Sequence, residues 1–197
     1  MHGRVLLPLA RASEDLGAAR RRAAPPRLRQ HPPAAQRGVA DQFGTAEGVG
    51  QWLLLEADRL PTVRVTDSVR DALVSLRLQV GAALAAIVTG ARPPSSALEC
   101  LNLALQGAPT HSQLRWDASG AHIDVIRIGD ECAQLLATLA EATVEYLSSD
   151  LAAKTRQCEA PDCELLFSLT HPRRRWCSPT VCGNRTRVAR YYEKHKN

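Results

Sequence analysis

The sequence predicts a mainly α-helical chain with one small β-hairpin. A helical N-terminal domain precedes a small four-cysteine unit that ends in a helix. Three observations lead there. Apolar residues in the middle of the chain recur at steps of three and four. One short stretch alternates with a period of two instead. Four of the 6 cysteines fall from residue 158 onward, as two equally spaced pairs.

The elements follow in order. Residues 1–37 hold several Ala and Pro and the run Arg20-Arg21-Arg22, with no sustained apolar period. Such a segment buries too little surface to offset its ordering entropy, so a disordered basic arm is expected. The helical domain spans residues 38–150. Its first helix is expected from Gly44 to Leu60, carrying Trp52, Leu53 and Leu55, and ended by Pro61. Asp67 is the expected cap of a longer helix whose stripe is Val69, Leu73, Leu76, Val80, Leu84 and Ile87. Gly90 and Pro93-Pro94 stop it. Ser96 with Glu99 reads as a capping box opening a short helix that Gly107 closes.

The period then changes. Leu114 and Trp116, a turn at Asp117 to Gly120, and Ile123 and Val125 read as a hairpin. Asp130 opens the last helix of the domain, through Leu135, Leu136, Leu139, Thr143 and Tyr146. Ser148-Ser149-Asp150 is the expected joint with residues 151–197.

Composition excludes whole classes. At 197 residues, 45% hydrophobic and 23% charged, the chain is neither collagen-like, wholly disordered nor a coiled coil. The longest uninterrupted apolar run, Ala82 to Val88, is far short of the roughly 20 residues a bilayer core requires, so no membrane contact is expected. Val5 to Ala10 is broken by Pro8 and followed by Arg11, which makes it a poor signal-peptide core. A cytoplasmic location with reduced thiols is the expectation. No phosphate loop, nucleophile elbow or His-Glu-x-x-His helix occurs in the middle, and an enzyme is not expected. Cys100 and Cys132 lack partners at ligand spacing and read as small buried hydrophobes.

Charge is segregated. Residues 1–37 balance to +6, residues 38–150 to −7 and residues 151–197 to +6. Basic ends flanking an acidic middle point to a polyanionic partner.

The chemistry sits in Cys158-Glu-Ala-Pro-Asp-Cys163 and Cys177-Ser-Pro-Thr-Val-Cys182. Each loop can turn two sulfurs toward one point, with Pro161 and Pro179 inside the turns. Four thiolates at tetrahedral corners suit Zn(2+), one per chain. Disulfides would need an oxidising compartment, and an iron–sulfur cluster usually shows ferredoxin-like spacing. His171 and His195 are further ligand candidates that two symmetrical pairs make unnecessary. A site closed by four protein ligands is structural rather than hydrolytic.

Arg174-Arg175-Trp176-Cys177-Ser178, with Cys182-Gly183-Asn184-Arg185, resembles the CGNR zinc finger. Cys158-x4-Cys163 with Phe167 behind it matches the first half of that motif. The likeness departs after Phe167, where the family usually has an Asp and a Ser and this chain has Leu169 and His171. The resemblance implies a helical ABATE domain ahead of the finger and a stress-linked bacterial transcription regulator. Residues 38–150 are similar to that domain in layout, though the family's usual apolar opening is not recognisable in residues 1–37.

Zinc with four thiolates carries −2, so the metallated segment would hold about +4. A helix is expected from Gly183 to about Lys196. At about 100° per residue, Arg187, Arg190 and Lys194 form one stripe, expected to face phosphates. Val188, Tyr191, Tyr192 and His195 form another, expected to pack on the knuckle. With Arg173, Arg174 and Arg175 in the preceding loop, these cations are the candidate nucleic-acid contacts. Trp176 is expected to cover the metal site, Asn184 to cap the helix, and Arg185 to tie the two loops through backbone carbonyls. The leading expectation is a DNA-binding regulator whose helical domain senses a small-molecule ligand or forms a homodimer. The alternative is an adaptor whose finger binds RNA or an acidic protein surface.

Overall fold

The computed structural model describes residues 41–195 apart from Asp162. The basic arm expected over residues 1–37 lies outside the described residues, as does Lys196.

Helix α1 (Ala46–Leu55) starts at Thr45, whose hydroxyl accepts from the Gly48 amide at 3.0 Å. It stops at Leu55 rather than Leu60. The amides of Arg59 and Leu60 both turn back to the Glu56 carbonyl, closing a tight turn ahead of Pro61. Leu55, one of the apolar residues of the expected helix, faces solvent.

Helix α2 (Asp67–Val88) is the central element, and its buried face is the expected one: Val69, Leu73, Leu76, Val80 and Leu84. Its cap is Thr66 rather than Asp67. The Thr66 hydroxyl accepts from the Val69 amide, and Asp67 is already the first helical residue, where its charge still favours the positive end of the helix dipole. By length and composition alone α2 could cross a bilayer. Here its apolar stripe is the centre of a packed helical core.

Helix α3 (Ser95–Gly107) begins without the expected capping box. Pro94 occupies the cap position with no side-chain bond, and the Ser96 hydroxyl instead meets Gln79 of α2. Proline cannot extend the helix backward, so it sets the boundary two residues earlier than the box required.

Strands β1 (Thr110–Asp117) and β2 (Gly120–Arg127) form an antiparallel hairpin with Leu114 opposite Ile123 and Trp116 opposite Ala121. Gly120 supplies the positive φ of the turn. Helix α4 (Glu131–Leu147) starts where expected, the Asp130 carboxylate accepting from the Ala133 amide at 2.8 Å. Leu135, Leu139, Thr143 and Tyr146 of α4 are buried against α2 and α3. Each such apolar side chain contributes about 1.5–3 kcal/mol through burial. Cys100 and Cys132 lie half-buried against this core, where burial pushes both thiols up.

Past the joint, α5 (Asp150–Ala153) is capped by Ser149. Strands β3 (Thr155–Gln157) and β4 (Leu166–Ser168) pair antiparallel, with Arg156 opposite Phe167. Leu151 and Leu166 pack on the helical core, whereas Phe167 faces a second small core with Cys158, Ala160 and Cys182. The short strand pair therefore has the helices on one side and the cysteines on the other. A π-helical turn (Pro179–Gly183) leads into α6 (Asn184–Lys194).

Candidate metal centre and nucleic-acid interface

The first cysteine loop joins β3 to β4. The Cys158 amide donates to the Leu165 carbonyl at 2.9 Å and the Cys163 amide to the Ala160 carbonyl at 3.2 Å, so the loop turns both sulfurs inward. The second loop starts at Ser178, whose hydroxyl caps the π turn by accepting from the Val181 amide. Cys177 precedes that turn and Cys182 lies within it.

All four sulfurs lie within 4.8 Å of one another. Cys163 to Cys177 is 3.7 Å, Cys177 to Cys182 is 3.6 Å and Cys182 to Cys163 is 3.7 Å. Four sulfurs at about 2.3 Å from a central zinc have tetrahedral edges of about 3.8 Å. The cage thus fits a tetrahedral thiolate-bound ion, and S–S bonds at about 2.0 Å are absent among the described cysteines. Among the described residues this is the one cluster of three or more ligand-type side chains. His171 accepts from the Arg173 amide and His195 stacks on Tyr191, so neither joins it.

The surroundings favour thiolate unevenly. Burial acts to raise the Cys158 thiol, but the amides of Cys177 and Ala160 point at its sulfur and hold it below the ordinary value. Burial raises Cys177, as do its bonded neighbours and the charge on Cys163 and Cys158. Burial and the same two charges push Cys182 up to about 11. Like charges crowd the cage, and a divalent cation removes that repulsion.

Trp176 is half-buried against this second core. A side-chain carbon on Gly183 would come within 3.2 Å of its ring, so glycine lets the π turn pass the indole without the ring having to shift. The Arg185 guanidinium donates to the Pro161 carbonyl at 2.8 Å, spanning from the second loop to the first. Asn184 does not cap α6. Gly183 holds that position without a side-chain bond, because the π turn continues directly into the helix. The Asn184 side chain instead accepts from Arg187 at 2.8 Å.

The candidate cations divide in two. Arg174 donates to the Trp176 carbonyl at 3.1 Å and the Cys177 carbonyl at 2.6 Å, and its guanidinium stands 4.7 Å from the Phe167 ring centre. Arg187 donates to the Gly183 carbonyl at 3.2 Å and approaches the Pro179 carbonyl. Arg175 is paired with Glu159. Arg173, Arg190 and Lys194 are exposed, with no side-chain partner among the described residues. Sequence periodicity missed Arg156, which β-pairing brings beside Arg174 and Arg175 around a shallow basic hollow. No spacing rule signals it, since the neighbourhood arises from strand register.

The apolar stripe of α6 does not pack on the knuckle as expected, while Arg190 and Lys194 of the basic stripe face outward as expected. Val188, Tyr191 and Tyr192 are exposed, and it is Thr186, Arg185 and Arg187 that bond the knuckle. The first turn is anchored through these polar groups, so the rest of the helix projects.

Residues 33–150 match the family model for the ABATE domain, described as a "putative stress-induced transcription regulator". Residues 154–195 match that of the CGNR zinc finger. No curated protein matches the chain.

Proposed function

The chain belongs to the ABATE family and carries a CGNR zinc finger, and from that premise we propose that it is a bacterial, cytoplasmic transcription regulator that binds duplex DNA through the finger. One Zn(2+) per chain sits in the four-cysteine cage and acts structurally. The observation that carries the DNA reading is the projecting helix α6. From Arg187 to His195 every residue is exposed, with Arg190 and Lys194 on the outside. An α-helix of 11 residues is about 16 Å long and about as wide as the major groove.

The helical domain is read as the input end, sensing a small-molecule ligand or joining two chains. An open apolar groove of about 330 Å³ lies among α2, α3 and α4, lined by Leu76, Leu103, Ala104 and Leu136 with Cys100 and Ser75. It suits an apolar ligand.

One observation favours a second reading. The exposed Val188, Tyr191 and Tyr192 would equally suit an adaptor that docks RNA or an acidic protein surface. Titrating the zinc-loaded chain with duplex DNA, RNA of the same sequence and an acidic protein separates the two. Duplex binding that is tightest, salt-sensitive and lost on chelation supports the regulator. Tighter binding of RNA or protein supports the adaptor. Selection of bound duplexes from a random pool would then name the operator.

A further inference from the structure

Among the described residues, nothing packs on the apolar face of the hairpin β1–β2. Leu114 is 71% exposed, Trp116 79%, Ile123 68% and Val125 62%. The register places all four on the same side, Leu114 facing Ile123 directly. Among the described residues the sheet has two strands, so each strand also offers one unpaired backbone edge. A two-stranded hairpin alone is at best marginally stable in water, and natural proteins cover or charge such edges. Nothing among the described residues covers the apolar side of this one.

From this geometry we infer that the hairpin face is a homodimer surface, occupied by the same face of a second copy of the chain. Three observations select that occupant. The first is electrostatic. Residues 38–150 carry a balance of −7, so two copies repel unless they meet where charge is absent. Ser112, Leu114, Trp116, Ala121, Ile123 and Val125 carry no ionisable group, and Arg127, which continues the same face beyond Val125, is tied down by Glu141 and the Ala108 carbonyl, whereas the reverse side carries His111, Arg115, His122 and Asp124. The one cation on the face, Arg127, is already paired with Glu141, which also disfavours nucleic acid there.

The second is area. The four side chains offer on the order of 500 Å² of apolar surface. Two such faces together remove on the order of 1,000 Å², the lower bound for a specific interface. One copy alone leaves a patch in the size range of the largest that monomers expose, which is often functional.

The third is self-complementarity. In a two-fold contact each residue meets the same small set of residues on the other copy, so a patch must suit itself. A compact apolar ridge centred on one cross-strand pair does so, with Trp116 of each copy lying over the Leu114–Ile123 pair of the other. The inference does not depend on what the finger binds. In a dimer it would set two fingers in a two-fold relation.

The test uses the full zinc-loaded chain. Sedimentation equilibrium from about 0.1 to about 100 µM should show reversible doubling of the mass. Trp116 emission should shift to the blue and lose acrylamide access over the same range. Comparison with Trp116→Phe isolates that signal from Trp52 and Trp176. Ile123→Lys places a charge in the centre of the face and should weaken association at least about 100-fold. Unchanged zinc content and helical circular dichroism would show that this variant folds. A wild-type chain that stays monomeric throughout overturns the inference. So does a dimer that Ile123→Lys leaves intact, or a monomer in which Trp116 is already shielded, which would assign the face to residues 1–40.

Discussion

The hydroxyl of Tyr146, on the last turn of α4, lies 2.5 Å from that of Thr155 in β3 and 2.8 Å from that of Ser168 in β4. Thr155 is fully buried. One phenol thus bolts both strands of the cysteine unit to the helical domain. The strand pair belongs to two cores at once, and the joint at Ser148 to Asp150 does not separate independent bodies.

Tyr146→Phe should therefore cost about 1–2 kcal/mol, because it leaves buried hydroxyls short of a partner while keeping the ring's packing. Denaturant unfolding of the zinc-loaded chain measures it. A change within about 0.3 kcal/mol would mean that the hydroxyl network contributes nothing beyond the ring.

Chelation should release the cysteine loops and α6 but spare β3 and β4. Limited trypsinolysis in a strong chelator should then leave a stable fragment ending among Leu169 to Arg175, beyond Ser168. A fragment ending at Lys154 would show that the strands leave with the finger. Loss of the entire chain would show that the metal holds both cores.

Arg174 closes the metal loop by donating to two backbone carbonyls while lying over Phe167. Arg174→Lys keeps the charge but loses the planar fork, so zinc affinity should fall about 10–100-fold. Competition with a chelator of known affinity reads this directly. Unaltered affinity would place Arg174 with the free surface cations instead.

Much of this was legible from spacing. The stripe from Val69 to Leu84 and the cap at Asp130 follow from a 3.6-residue period and a carboxylate ahead of it. Four cysteines in two pairs were enough to place the cage, since their loops are short and local. The misplaced caps at Asp67, Ser96 and Asn184 share a cause. A neighbouring residue had an equal or prior claim on the position, whether the Thr66 hydroxyl, the Pro94 ring or the incoming π turn. The stripes of α6 were legible as stripes, but not which side chains meet the knuckle. Arg187 is long enough to fold back onto carbonyls, and the knuckle offers α6 bonds to make rather than an apolar surface. Arg156 and Tyr146 acquire their roles through strand pairing, which no local window contains.

Zinc binding should strengthen as pH rises. In the metal-free cage Cys177 and Cys182 have raised pKa values, so both hold protons at neutral pH that zinc must displace. Log affinity should climb with pH at a slope of at least about two between about pH 6 and pH 8. The sign for folding without metal is opposite. The folded form binds the Cys182 proton more tightly than the unfolded chain, a contribution present below 9.0 and lost as pH rises through about 11. Metal analysis after dialysis should give about one zinc per chain, abolished by Cys177→Ser. A pH-independent affinity would contradict the thiolate cage.

The central claim, duplex DNA bound through the free cations of the finger, is tested most directly by the salt dependence of binding. Each phosphate engaged contributes about 0.9 to the slope of log affinity against log salt. The double variant Arg190→Glu, Lys194→Glu should flatten that slope by about two and weaken binding, with zinc content unchanged. Wild-type affinity and slope in the zinc-loaded double variant would contradict it, because α6 would then not be the surface that meets the phosphates.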